Sequence, residues 1–344
     1  MCGKEDIKNK VVQTIKKNNL IEQGDKIVLA VSGGPDSICM LDLLYKICQP
    51  NPEPMAKNNC QSNPEPMAKF VVAHVNHMIR EEAADDEAFV KNFCKKIEVD
   101  FYSKSIDVQE FANNNKIGLE EAGRIARYNF FDEVANLTHA NKIAIAHNKN
   151  DSVETVIMHA LRGSGTYGLH GIEAKNGKYI RPLIDCDRQE IEEYCKVNNI
   201  QARIDKTNFE NEYTRNKIRN VVIPYIKNEF NPNIIETITR LSDVIKDQDE
   251  FIDANVKNAY AELVLQETEK EIILDLRKFN NKEKVIKTRL ILYTIMRLFG
   301  SSQGIEKIHI EDILKLCQNN VGNKYLMPNK NTKVYVKQRK NKVF

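Results

Sequence analysis

Short apolar runs and amphipathic stripes alternate through the first two hundred residues of the chain. Residues 26–31 (KIVLAV) form a β-branched run ending in a Ser-Gly-Gly turn, and 36–47 follow with Ile38, Leu41, Leu44 and Tyr45 at helical spacing. Residues 70–75 (FVVAHV) read as a second buried strand, 99–103 as a third and 142–146 (KIAIA) as a fourth. The stripes at 82–97, 119–137 and 152–161 predict helices. This alternation argues for a parallel sheet covered by helices on both faces. Ligands of such sheets sit beyond the carboxyl ends of the strands, so the residues just after each strand are the candidates for chemistry.

The texture changes after about Asn220. Pro224 and Pro232 punctuate it, and from Asn233 the apolar positions run at helical spacing to Val264. A strand-like piece at 271–276, helices near 284–299 and 310–318, and a terminal hairpin (YLMP, then KVYVKQ) complete the pattern. The expected division is a catalytic domain over residues 1–220, a linker over 221–234 and a mainly helical domain over 235–344. The heptapeptide NPEPMAK occurs at both 51–57 and 63–69. Two copies do not make a solenoid, and the repeat reads as a duplication in a surface loop without chemistry.

Composition removes whole classes of function. The 344 residues are 42% hydrophobic and 29% charged, as in an ordinary globular protein. Lys+Arg at 51 against Asp+Glu at 48 leaves a net charge of +3, which permits nucleic acid as a partner without arguing for it. The basic end of the chain (Lys330, Lys333, Lys337, Arg339, Lys340, Lys342) is either a solvated tail or a contact for phosphate backbone. No apolar run reaches the ~18 residues of a membrane span, and the first twenty residues have helical spacing rather than a signal-peptide core. The eight cysteines are scattered, with no CxxC pair, as expected for reduced thiols in a cytoplasmic protein.

The string Ser32-Gly33-Gly34-Pro35-Asp36-Ser37 lies between an apolar strand and a helix. Its glycines allow a tight turn that brings amides close to an anion, and the following helix adds its positive end. Asp36 would repel a bare phosphate, which suggests a cation between them, most simply Mg²⁺. The string resembles the pyrophosphatase loop of N-type ATP pyrophosphatases, which split ATP into AMP and pyrophosphate. The implied fold is that superfamily's parallel sheet with helices on both faces, the adenine nucleotide α-hydrolase-like arrangement.

Four further stretches resemble the tRNA(Ile)-lysidine synthetases within it: HVNHMIR from His74, EEAGRIARYNFF from Glu120, HNKNDSVETVIMHALRGSGTYGLHG from His147 and DKTNFENEYTRNKIRNVVIP from Asp205. That resemblance implies ligation of L-lysine to C2 of the wobble cytidine of tRNA(Ile) with a CAU anticodon, through an adenylated base. By resemblance, Asp36, His147, Asp151, Glu154 and Arg124 are catalytic, with Glu154 toward the lysine ammonium and Arg124 toward the phosphates. ATP falls to Ser32, Gly33, Gly34, Pro35, Asp36, Ser37, Val75, Arg162 and Gly163. Mg²⁺ falls to Asp36 and Asp151. Arg215, Lys217 and Arg219 would face tRNA phosphates, with Tyr128 or Phe130 to stack on the base. The region after residue 235 resembles the family's tRNA-binding domain, and the family suggests a homodimer.

Asn148 and Asn150 stand where that family usually has histidine and aspartate, so neither adds charge. Each assignment has a plainer reading. Arg124 suits a solvated helix face, Tyr128, Phe130 and Phe131 suit a core, and His147 a half-buried structural histidine. Two rival functions remain: a tRNA thiolase of the same fold, for which the CxxC pair is missing, and a non-catalytic tRNA binder, which has no use for a pyrophosphate loop.

Overall fold

The computed structural model describes residues 3–49, 66–76, 83–203, 214–301, 304–319, 325–329, 332–337 and 342–343. The first NPEPMAK copy, residues 63–65 of the second, and residues 77–80 and 205–213 of the motifs above lie outside them. The end of the second copy is not surface loop, because Ala68 and Lys69 open a strand and Ala68 is buried in the core. The chain divides into two compact units, Met1–Ser242 and Asp243–Phe344.

In the first unit α1 (Gly3–Lys17) precedes β1 (Asp25–Ala30), α2 (Pro35–Cys48), β2 (Ala68–Asn76), α3 (Ala83–Lys96), β3 (Asp100–Ser105), α4 (Val108–Asn115) and α5 (Leu119–Thr138). Next come β4 (Lys142–Ile145), α6 (Lys149–Leu161), β5 (Lys175–Asn176), β6 (Tyr179–Ile180) and α7 (Arg188–Val197). The unit continues with α8 (Thr214–Lys217), a π-helical turn (Ile218–Val222), α9 (Ile223–Glu229) and the start of α10 (Ile234–Leu263), inside which the division falls. The sheet order is β3-β2-β1-β4-β6-β5, parallel except where β5 runs antiparallel to β6.

Successive residues of β1 point to opposite faces, and both faces are buried. Ile27, Leu29 and Val31 join Ile7 and Val11 of α1 and Ile38 and Leu41 of α2 in one core cluster. Val28 and Ala30 join Phe130, Phe131 and Val134 of α5 in the other. A strand covered on both sides must be apolar throughout, which is why KIVLAV shows no polar alternation. The chain winds from β1 outward through β2 to β3, then returns to place β4 on the other side of β1. The strand order therefore reverses between β1 and β4, and a crevice opens beyond their carboxyl ends.

At the opposite end of these strands, Lys142 Nζ lies 2.7 Å from Asp25 Oδ2, with both residues buried. Among the described residues no helix is long and apolar enough to cross a membrane. Cys39, Cys48, Cys94, Cys186, Cys195 and Cys317 are buried and unbridged.

The second unit packs the rest of α10, α11 (Leu276–Asn280), α12 (Lys284–Phe299) and α13 (Lys307–Asn319) with a five-stranded sheet. Its strands are β7 (Val264–Glu267), β8 (Ile272–Asp275), β9 (Tyr325–Asn329), β10 (Thr332–Lys337) and β11 (Lys342–Val343), in the order β7-β8-β11-β10-β9. The terminal strands are thus pulled back onto β8. Leu263, Phe279, Leu290 and Ile313 anchor its core.

Candidate active site

The loop after β1 is held open by its own polar groups. Gly33 takes φ +94°, a left-handed conformation that glycine adopts without strain. Ser37 Oγ donates to Gly34 O (2.9 Å) and accepts the amides of Ser32 (3.1 Å) and Gly33 (3.2 Å). The helix α2 has Pro35 in its first turn and no side-chain cap, so its leading amides face the crevice without a side-chain acceptor. From β2, buried His74 donates from Nδ1 to Val31 O at 2.8 Å and fixes the entry to the loop.

The loop after β4 meets it through Asn148. This residue is fully buried and caps α6: its Oδ1 accepts the amide of Asp151 (3.0 Å), and its own amide N–H donates to Asp151 Oδ2 (3.0 Å). Its Nδ2 then donates to Asp36 Oδ1 at 3.1 Å, tying the two loops together. Asn150 Oδ1 accepts the amide of Arg188 (3.0 Å) and secures the start of α7.

Asp151 and Glu154, one turn apart on α6, are 7% and 1% exposed. Their charges are balanced by arginines from the α8 segment. Arg219 meets Glu154 at 2.6 and 2.8 Å and Asp151 Oδ1 at 2.8 Å. Arg215 reaches Glu154 Oε2 at 3.1 Å and Asp151 Oδ1 at 3.4 Å. On the other side, Arg181 Nε donates to His147 Nδ1 at 3.1 Å, which leaves the imidazole proton on Nε2.

Burial, and then the nearby Asp151 carboxylate, push the Asp36 carboxyl up to about 6, against the pull of Arg188 and the Asn148 amide. Burial works in the same direction on Asp151, but Arg215, His147 and Arg219 outweigh it and hold its carboxyl below the usual range. Burial pushes His147 down to about 4, with Arg181, Arg215 and Arg127 acting in the same sense against Asp151. His147 is therefore neutral at pH 7. The crevice combines a phosphate-sized loop with three acidic side chains, a neutral imidazole and a fringe of guanidinium groups.

Comparison with known proteins places this arrangement. Residues 4–226 match the PP-loop domain family. The chain is 43% identical to the tRNA(Ile)-lysidine synthase of Clostridium acetobutylicum over 323 residues, 93% of this chain and 66% of that protein. It is 40% identical to the tRNA(Ile)-lysidine synthase of Clostridioides difficile over 332 residues, 96% of this chain and 69% of that one. The chain belongs to the tRNA(Ile)-lysidine synthase family of PP-loop proteins. It spans about two-thirds of the length of the relatives it matches, 66% and 65% in two of them. Among solved structures, the U34-tRNA thiolase NcsA from Methanococcus maripaludis superposes with a TM-score of 0.55 at 17% identity, covering 70% of this chain and 78% of that one, a likeness of fold.

Against the family's pattern, the PP-loop, His147, Asp151 and Glu154 converge at the switch point, and Val75 lies half-buried near the end of β2. Several other assignments land elsewhere. Arg124 is exposed and lies over the Tyr128 ring at 5.6 Å; Arg127, exposed as well, is the arginine of α5 whose charge acts on His147. Phe130 is 6% exposed and packs behind the sheet, so it cannot stack on a base and its core reading holds. Arg162 and Gly163 follow the far end of α6, about 16 Å along the axis from Asp151 at 1.5 Å per residue. Lys217 is exposed, but Arg215 and Arg219 turn inward onto carboxylates. Arg181 and Arg188 belong to the site and were not foreseen. Their only signal in sequence is an arginine shortly after a short strand and another at a helix start.

Proposed function

We propose that this chain ligates L-lysine to C2 of the wobble cytidine of tRNA(Ile) with a CAU anticodon, forming a C–N bond and splitting ATP into AMP and pyrophosphate. The product, lysidine, changes codon reading from AUG to AUA. The observation that carries this reading is the junction of Asp36, Asn148, Asp151 and Glu154 beside the PP-loop, in a chain of this family.

The C2 oxygen of cytidine is a poor leaving group. It attacks the α-phosphorus of ATP, a new O–P bond forms, and the bond to pyrophosphate breaks. An amine of lysine then adds at C2, the C2–O bond breaks, AMP departs and the nitrogen loses a proton. Charge that develops on the phosphates is met by the amides of Ser32, Gly33, Gly34, Asp36 and Ser37 and the positive end of α2, with phosphate oxygens taking over the acceptor role that Ser37 Oγ plays in the free loop. His147, neutral and protonated on Nε2, offers a hydrogen-bond donor rather than a base. Glu154 holds the lysine ammonium. The side-chain amine, whose ordinary pKa is about 10.4, must shed its proton before it attacks.

The residues suit Mg²⁺. Among the described residues no cluster of three or more ligating side chains forms, but Asp36 and Asp151 supply two carboxylates in one crevice. Mg²⁺ is commonly held by one or two carboxylates and completed by substrate phosphates, and there it would neutralise developing phosphate charge. Lys217 is proposed to contact tRNA phosphate and the second unit to bind tRNA, and the cytoplasm is the expected location.

An ATP–pyrophosphate exchange assay tests the first step. Exchange that needs tRNA(Ile) and Mg²⁺, and vanishes in Asp36→Ala, is expected. Tight tRNA binding without exchange would make the chain a binder.

A further inference from the structure

We infer that Arg215 and Arg219 are exchangeable counter-ions, seated on Asp151 and Glu154 in the free chain and drawn off by a bound polyanion, so that the lysine cation enters after the tRNA. The inference rests on the functional reading above and concerns the order in which that site fills.

Glu154 is almost wholly removed from water, and both its oxygens are taken by guanidinium groups from a segment sixty residues later. Asp151 is engaged on both oxygens as well, by the Asn148 amide on Oδ2 and by the arginines on Oδ1. A substrate ammonium brought to Glu154 in this arrangement would meet two like charges. A cation on Asp151 would meet the same pair. The two arginines therefore fill the cation sites from within.

They are also placed to leave. Their side chains keep 30% and 20% of their exposure, so they reach inward from the surface rather than sit in the core. Lys217, between them in sequence, is exposed and marks where a polyanion would first touch the segment. A guanidinium binds phosphate in the same two-pronged geometry as carboxylate, so transfer from one anion to the other exchanges similar bonds. The backbone favours movement too. Arg219 lies in the π-helical turn Ile218–Val222, flanked by the four-residue α8 and by Pro224 near the start of α9. Proline supplies no amide for the helical ladder. Conversion between π and α geometry shifts the register of such a turn without unfolding it.

Equilibrium dialysis of radiolabelled L-lysine without ATP, so that no turnover occurs, tests this. The wild-type chain should bind lysine roughly tenfold or more tightly when tRNA(Ile) is present, within the usual range of coupling between sites. The double variant Arg215→Gln/Arg219→Gln should bind lysine that tightly without tRNA and gain less than about threefold from adding it. Arg219→Lys keeps a competing charge and should behave like wild type. Equal lysine affinity with and without tRNA in the wild type overturns the inference, as does an Arg215→Gln/Arg219→Gln protein that binds lysine no more tightly than wild type. The wild-type comparison decides even if a variant folds poorly. Lysidine formation, assayed on the same preparation, separates the two levels: product formed with tRNA-independent lysine binding sinks the counter-ion exchange alone, whereas no product sinks the functional reading and the exchange with it.

Discussion

Asn148 sits where the family usually places a histidine, and its neutral amide bonds in two directions at once. Its oxygen caps α6, and its N–H₂ steadies the carboxyl of Asp36 across the crevice. Asn148→Ala should lose about 1–2 kcal/mol of stability in urea unfolding, the scale of a lost N-cap. Asn148→Asp keeps the acceptor for α6 but sets a second carboxylate against Asp36. Its stability should largely recover while pyrophosphate exchange does not, and exchange at the wild-type rate would show that the amide is only a cap. At this scale the sequence was informative about identity and less so about orientation. The i, i+3 spacing of Asp151 and Glu154 and the i, i+4 spacing of Arg215 and Arg219 each put a pair on one helix face. Neither spacing reveals that the two faces meet, because that contact joins residues about sixty positions apart.

The elements of the sheet separate stability from chemistry. At the amino ends of β1 and β4, buried Asp25 receives Lys142 Nζ and Asn141 Nδ2 at 2.7 Å each. Burial alone would raise its carboxyl, but the bonds from Lys142, the Glu22 amide and Asn141 hold it below the ordinary value. A depressed carboxyl contributes its stability in full above about pH 4 and loses it as pH falls through the folded pKa. Asp25→Ala should therefore cost about 3 kcal/mol by removing the buried partner of Lys142 and leaving it only the exposed Glu22 Oε2 at 3.6 Å, flatten the acid limb of the unfolding profile, and leave exchange unchanged where the variant is folded. An unaltered acid limb would show that other groups control it.

At the other end of the strands, Gly171 has φ +72° and lies against α6, where an added Cβ would run into Ser152 Oγ and press on Val156. Gly171→Ala should lose roughly 1–3 kcal/mol and lower exchange together with thermal stability. β1, β2 and β4 were legible because doubly buried strands are apolar throughout. By contrast, α4 (VQEFANNN) and α7 (RQEIEEYCKV) bury only two and three residues each, too few for a visible stripe. The helix α6 begins three residues before its apolar pattern does, because the Asn148–Asp151 capping box sets its start.

For the molecule as a whole, the reversal of strand order between β1 and β4 brings the PP-loop and the Asp151–Glu154 turn to one crevice. That convergence was readable because each motif follows an apolar strand in a parallel sheet. The second unit was less so: its helical stripes were plain, but the terminal strands β9 to β11 join the sheet through β11, which pairs with β8 across nearly seventy residues, and no local pattern announces such a pairing. Whether these parts act together to make lysidine is read from incorporation of radiolabelled lysine into tRNA transcripts with ATP and Mg²⁺. Label should enter tRNA(Ile) with a CAU anticodon, stay out of the methionine tRNA with the same anticodon, and disappear with Asp36→Ala. Absence of label from tRNA(Ile), under conditions where the chain binds that tRNA tightly, would show that the chain does not make lysidine.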